Sequence, residues 1–165
     1  MQASQFTSAL ETGGFFGGIL AGIITDRFSS KIRIQGNPRL LVASVFMFLC
    51  AAGLHVMNYI LAASTSQMFV SGAGFLLGAS MFGPISIYGI VASESFPAHL
   101  SGTAHAVVAL AANVGAVVAG WPLSWIAKTF SWTGVFFLLE ILSGASILLI
   151  LVTRRIHRTS KNKKD

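Results

Sequence analysis

Five uninterrupted apolar stretches, each about the length that crosses a bilayer, occupy nearly all of this 165-residue chain. A hydrocarbon core about 30 Å thick takes about 20 helical residues at about 1.5 Å rise each. The candidate spans run from Ser4 to Thr25, Leu40 to Leu61, Met68 to Ala92, Ala104 to Ile126 and Trp132 to Val152. One such run fits inside a soluble core, but five with connections this short leave too little polar sequence to face water. Only 10% of the residues are charged, 54% are hydrophobic, and the mean hydropathy is +0.75. The pattern predicts an all-α fold, a polytopic membrane helix bundle of five transmembrane helices over residues 1–153, followed by a basic tail at 154–165.

Met1-Gln2-Ala3 offers no basic leader and no cleavage pattern follows the first apolar run, so that span is expected to stay in the mature chain. Ten of the eleven Lys and Arg residues lie either between spans one and two or after span five, and only Lys128 lies on the opposite side. The positive-inside rule then puts the N-terminus outside the cytosol and the C-terminal tail within it. Tyr59, Trp121, Trp125 and Trp132 fall near the non-cytosolic ends of their spans, as in an aromatic belt. This topology accounts for the net charge of +6 without a nucleic-acid partner. Cys50 stands alone inside span two and reads as a small apolar filler.

Helices in lipid associate through close packing of small residues. Span one carries Gly14, Gly18 and Gly22 at four-residue spacing beside a parallel row of Gly13, Gly17 and Ala21; span four repeats the device with Ala111, Gly115 and Ala119 and with Ala112, Ala116 and Gly120. Glu11 lies on the glycine stripe of span one, directed toward protein or a water-filled cavity, either as a protonated packing residue or as a group that handles substrate or protons. His105 and Asn113, eight residues apart, differ by about 80° around span four, so they fall on neighbouring strips expected to border one polar cavity. Asn113 reads as an interhelical hydrogen-bonding group or a cavity group, and His105 as an interfacial or a cavity group. His55 has Tyr59 as its polar neighbour at helical spacing and reads as a packing residue. In span three, Gly83-Pro84 frees a backbone carbonyl and is the expected bend, with Ser80, Pro84 and Tyr88 on one line.

Two blocks of sequence go further. Gly22-x-x-x-Asp26-Arg27-x-x-x-Lys31 resembles the loop signature of the major facilitator superfamily. Such a loop holds an acid and its cations at the cytosolic ends of two helices, so the resemblance implies an ion-pair latch made by Asp26, Arg27 and Lys31. Phe82-Gly83-Pro84 through Gly89, then Glu94-x-x-Pro97, Gly102-Thr103-Ala104 and Asn113-x-Gly115 resemble the organophosphate:phosphate antiporter branch of that superfamily. Within the branch, the segments around Glu11, Gly36-Asn37-Pro38-Arg39, Ala104 to Gly115 and Ile126 to Trp132 are most similar to the glucose 6-phosphate transporters of the endoplasmic reticulum, solute carrier family 37. Lys161 and Lys163, five and three residues from the C-terminus, resemble a dilysine retrieval signal of that compartment.

The resemblance covers the whole chain and implies the C-terminal part of a transporter from its eighth helix onward, an incomplete half of the superfamily fold. It implies exchange of glucose 6-phosphate for inorganic phosphate by alternating access, with no cofactor, and functional coupling to glucose-6-phosphatase. Glu11, Tyr88, His105 and Asn113 are then the candidates for the substrate pathway. The phosphate-clamping cations are implied on the first and seventh helices, so the N-terminal bundle and helix seven become expected partners along with the bilayer. No Lys or Arg lies within the five spans. A carrier of another organophosphate, or a truncated non-transporting isoform or scaffold, stands as the alternative. An enzyme is not expected, because there is no His-rich metal cluster and no pair of carboxylates or nucleophile beside a base.

Overall fold

The computed structural model describes residues 2–31, 37–60 and 65–153, all arranged as helices and their short connections. The expected retrieval lysines Lys161 and Lys163 lie outside the described residues, as does the side chain of Lys31. Four helices carry the bundle: α1 (Gln2–Lys31), α2 (Pro38–His55), α3 (Gln67–Ser95) and α4 (Ser101–Thr153). A π turn, Val56–Ile60, extends α2, and a 3-10 turn, Ala98–Leu100, leads into α4. All four are long and apolar enough to cross a membrane.

α1 and α3 run parallel and touch through small residues. A methyl added at Gly13 or Gly17 would strike the backbone of Phe75 or Ala79, one at Gly78 the carbonyl of Leu10, and one at Gly14 would fall 2.6 Å from the Phe82 ring. Phe6 on Gly74, Leu10 on Gly78, Gly14 on Phe82 and Gly18 on Ser86 keep one register along both helices. Of the expected glycine rows in span one, Gly13, Gly14, Gly17 and Gly18 pack on α3 while Gly22 meets nothing within 4 Å; only a missing side chain lets two backbones approach as closely as at Gly13 and Gly17. α2 runs antiparallel to both, with Gly53 on Leu77 at one end and Phe46 pressed onto Gly83 nearer the other. The apolar core beneath Phe46 consists of Ala21, Val42, Ala43 and Ile87; Cys50, Leu54 and Leu77 form a second cluster.

Two elements, α1 and α4, differ from the sequence expectation. α1 continues six residues past Thr25, so Asp26, Arg27 and the backbone of Lys31 are helical rather than in a loop; no Gly or Pro intervenes between Gly22 and Gly36 to stop the helix. α3 passes through Gly83-Pro84 without interruption, and Pro84 is fully buried. α4 takes in both the fourth and the fifth expected spans. Its 53 residues would measure about 80 Å as a straight helix, far more than a bilayer, but Ser131 breaks it with φ 69° and ψ 174°. The first arm starts with His105 against Gly89, near the Glu94 end of α3. Beyond the break, Glu140 reaches His55 at the far end of α2, and Ser143 then sits beside Cys50, so the second arm returns toward Arg39.

Candidate functional site

Three helix ends meet at one end of the bundle, and sequence chemistry fixes each of them. The Asn37 side-chain oxygen accepts from the Arg39 backbone N–H at 3.0 Å, and Pro38 supplies a first helical residue that lacks a donor, so α2 begins with Arg39 in its first turn. Pro97 cannot continue α3, Phe96 is extended, and Glu94 is held in the last turn. Asp26 follows the buried Thr25, near the end of α1.

Arg39 joins them. Its guanidinium donates from Nε to Glu94 Oε2 at 2.8 Å and from Nη2 to Glu94 Oε1 at 2.7 Å, a bidentate fork. Nη1 donates to Asp26 Oδ1 at 2.7 Å and to Thr25 Oγ1 at 3.1 Å, and Thr25 in turn donates to the Gly22 carbonyl. The Arg39 side chain is 10% exposed while Asp26 and Glu94 are 69% and 52% exposed, so one buried cation is shared by two half-solvated anions. Each end charge opposes its own helix dipole: a cation in the first turn of α2, an anion in the last turn of α3. The cluster holds together by mutual pairing against those local terms, and competes with water at its rim.

Of the expected latch residues, Asp26 pairs with Arg39. In the sequence Arg39 registers as one cation of the basic connection and as the end of Gly36-Asn37-Pro38-Arg39, and Glu94 as part of a Glu-x-x-Pro pattern, with no sign that the two pair. The signal that points to both is positional: each stands within a turn of a proline that fixes a helix boundary.

The four expected pathway residues are spread out. His105 lies against Gly89, where an added methyl would come 2.5 Å from the imidazole, and Tyr88 packs half-buried on the Ala21–Phe46 core. Glu11 and Asn113 are exposed, and among the described residues neither makes a side-chain hydrogen bond or ion pair. The row facing α3 is completed by Leu10 in place of Glu11. Among the described residues, Gly115 and Gly120 in the first arm of α4 meet nothing within 4 Å. Two apolar grooves, of about 700 and 680 Å3, flank α2 and α3; no charged side chain and none of these four residues lines them. Among the described residues no cluster of His, Cys, Asp and Glu is placed to hold a metal.

An all-α bundle of apolar helices, closed at one end by a buried arginine with two carboxylates, defines a multi-pass membrane protein with an ionic clamp across three helix ends. Several proteins similar to this chain are named for hexose phosphate transport or glucose 6-phosphate exchange. The chain is 31% identical over 149 residues to the membrane sensor protein UhpC of Escherichia coli, covering 90% of this chain and 32% of that protein. It is 32% identical over 155 residues to a probable hexose phosphate transport protein of Chlamydia trachomatis, covering 92% and 31%. It is 28% identical over 168 residues to the human glucose-6-phosphate exchanger SLC37A1, covering 95% and 28%. The chain spans about a third of the length of the curated relatives it matches. No family model and no solved structure matches it.

Proposed function

We propose that this chain is the C-terminal portion of a major facilitator superfamily sugar-phosphate transporter, exchanging glucose 6-phosphate for inorganic phosphate across the endoplasmic reticulum membrane. The observation that carries the reading is the Arg39 clamp, seen together with relatives named for hexose phosphate transport. Arg39, Asp26 and Glu94 hold three helix ends together in one state and exchange their partners for water in the other, which is what alternating access asks of a gate. Arg27 and Lys31 extend the basic side of this gate toward the cytosol. Both arms of α4 cross the bilayer, giving five spans and a cytosolic tail in which Lys161 and Lys163 act in retrieval.

Glu11, His105 and Asn113, exposed here, and Tyr88 line the half of the pathway that this chain supplies. Gly83-Pro84 gives α3 its compliant point. The phosphate-clamping cations come from the N-terminal bundle and helix seven. Hydrolysis of glucose 6-phosphate is left to a separate phosphatase. A second reading, a sensor that binds sugar phosphate without moving it, is supported by the similarity to the bacterial membrane sensor.

An antibody against residues 161–165 tests both. Native membranes are blotted for a product more than twice the 17.4 kDa of this chain, and the captured protein is reconstituted into phosphate-loaded liposomes. Uptake of labelled glucose 6-phosphate that depends on internal phosphate is the expected result. Saturable binding without uptake selects the sensor; neither binding nor uptake rejects both.

A further inference from the structure

The row Gly13, Gly17, Ala21 and Thr25 runs along α1 at four-residue spacing, and its side chains grow toward the Arg39 end. At Gly13 and Gly17 an added methyl would strike the backbone of α3. Ala21 carries such a methyl, fully buried in one cluster with Val42 and Ala43 of α2 and Ile87 of α3. Thr25, also fully buried, carries a methyl and a hydroxyl. The neighbouring row shows the same gradient. A methyl added there would lie 2.6 Å from the Phe82 ring at Gly14 and 3.0 Å from Ser86 Oγ at Gly18, and at Gly22 it would meet nothing within 4 Å. α1 and α3 are therefore in backbone contact at one level and part toward the ion cluster, where the first turns of α2 join their core.

Thr25 stands where that gap receives the guanidinium. Its Oγ1 donates to the Gly22 carbonyl at 2.9 Å, which commits the hydroxyl hydrogen, so the oxygen presents only lone pairs to Arg39. Arg39 Nη1 donates to it at 3.1 Å and also to Asp26 Oδ1, while Nε and Nη2 donate to Glu94. One edge of the planar group serves α3 and the opposite corner serves α1. A half-turn about the Nε–Cζ bond exchanges Nη1 with Nη2 only by breaking the bonds on both sides. Of the three acceptors, Thr25 is the one with a short β-branched side chain, stiff at χ1, on a helix pinned to α3 by backbone contact.

We infer that Thr25 is a positioning residue whose buried hydroxyl fixes the plane of the Arg39 guanidinium, and with it the fork offered to Glu94. Its consequence for transport rests on the reading of this cluster as a gate, in which Thr25 sets the alignment of the closed state. The same contact makes the cluster selective for arginine, because a lysine ammonium is a point charge with no second edge.

The test uses the full chain in liposomes with nitrogen-labelled arginine, read by solid-state NMR. The Arg39 signals are those that vanish in Arg39→Lys. Nη1 and Nη2 are expected as separate signals that exchange slowly in the parent chain. Thr25→Val, which replaces the hydroxyl with a methyl, should speed that exchange about tenfold, the equivalent of one lost hydrogen bond. Thr25→Ser, which keeps the hydroxyl and loses the methyl, should stay within about twofold of the parent. A packing role alone gives the reverse order, since valine keeps the buried methyl and serine does not. Thr25→Ala supplies the same readout if the valine variant does not insert. Exchange within about twofold of the parent in the variants that lack the hydroxyl overturns the inference, as does a serine variant that exchanges as fast as they do. These signals report the alignment of Arg39 without transport, so a parent chain that fails to take up glucose 6-phosphate rejects the gate and leaves the role of Thr25 at Arg39 standing.

Discussion

Replacing Arg39 with Gln tests the clamp most directly. The substitution removes two carboxylate pairs from a guanidinium that is 10% exposed. Hydrogen bonds to charged groups contribute about 1.5–3 kcal/mol each, but partners that are 69% and 52% exposed regain water when released. About 1 kcal/mol per pair, near the top of the range for exposed pairs, gives about 2 kcal/mol for the clamp, or about a 30-fold change in the opening equilibrium. Ser44 lies buried in α2 near Arg39 and makes a local bond to the Leu41 carbonyl, so Ser44→Cys in a Cys50→Ser background is a conservative reporter of opening. Its reaction with a water-soluble thiol reagent in proteoliposomes should accelerate about 30-fold in Arg39→Gln. Arg39→Lys, which keeps the charge but loses the fork, should fall between the two. Adding Glu94→Gln to Arg39→Gln should change little more, since the pair is already broken. A labelling rate in Arg39→Gln within about twofold of the parent would refute the argument that this cluster restrains the helix ends.

Two further outcomes follow from backbone geometry. Gly17→Ala should lower thermal stability in detergent by about 1–3 kcal/mol, because the methyl meets the Ala79 backbone, while Gly22→Ala, with nothing within 4 Å, should leave it unchanged; equal melting temperatures for the two would contradict the parallel α1–α3 register. Ser131→Gly should stabilise the chain by about 1–3 kcal/mol and Ser131→Val should destabilise it, since φ 69° with ψ 174° is a conformation that glycine alone adopts at ease; the reverse order by thermal unfolding would place the break elsewhere.

What the sequence revealed and what it hid divide along a physical line. Apolar length and four-residue glycine spacing are local periodicities, and the packing of Gly13, Gly14 and Gly17 on α3 follows from them. Pairings between distant residues are not periodic. Arg39 finds Asp26 13 residues away and Glu94 55 residues away, a match that depends on which helix ends share a level. The same applies to His55, which reads as a packing residue from its own helix and acquires a carboxylate only when the second arm of α4 folds back. Glu11 sits in the right sequence stripe, yet Leu10 takes the buried place, because 100° per residue leaves either one able to face α3. The break at Ser131 was legible as a short connection but not as a single residue, since nothing in its composition demands a positive φ.

The reach of the Arg39 pairing has a consequence during synthesis. Asp26 leaves the ribosome before Arg39, but Glu94 follows 55 residues later, after α3 has been made. Until then a cation sits at the mouth of a half-built bundle with one partner, drawn toward water and lipid headgroups. Capture by Glu94 is therefore what ties α1, α2 and α3 into one ion-paired cluster, and a chain stopped before residue 94 leaves Arg39 with Asp26 and Thr25 alone.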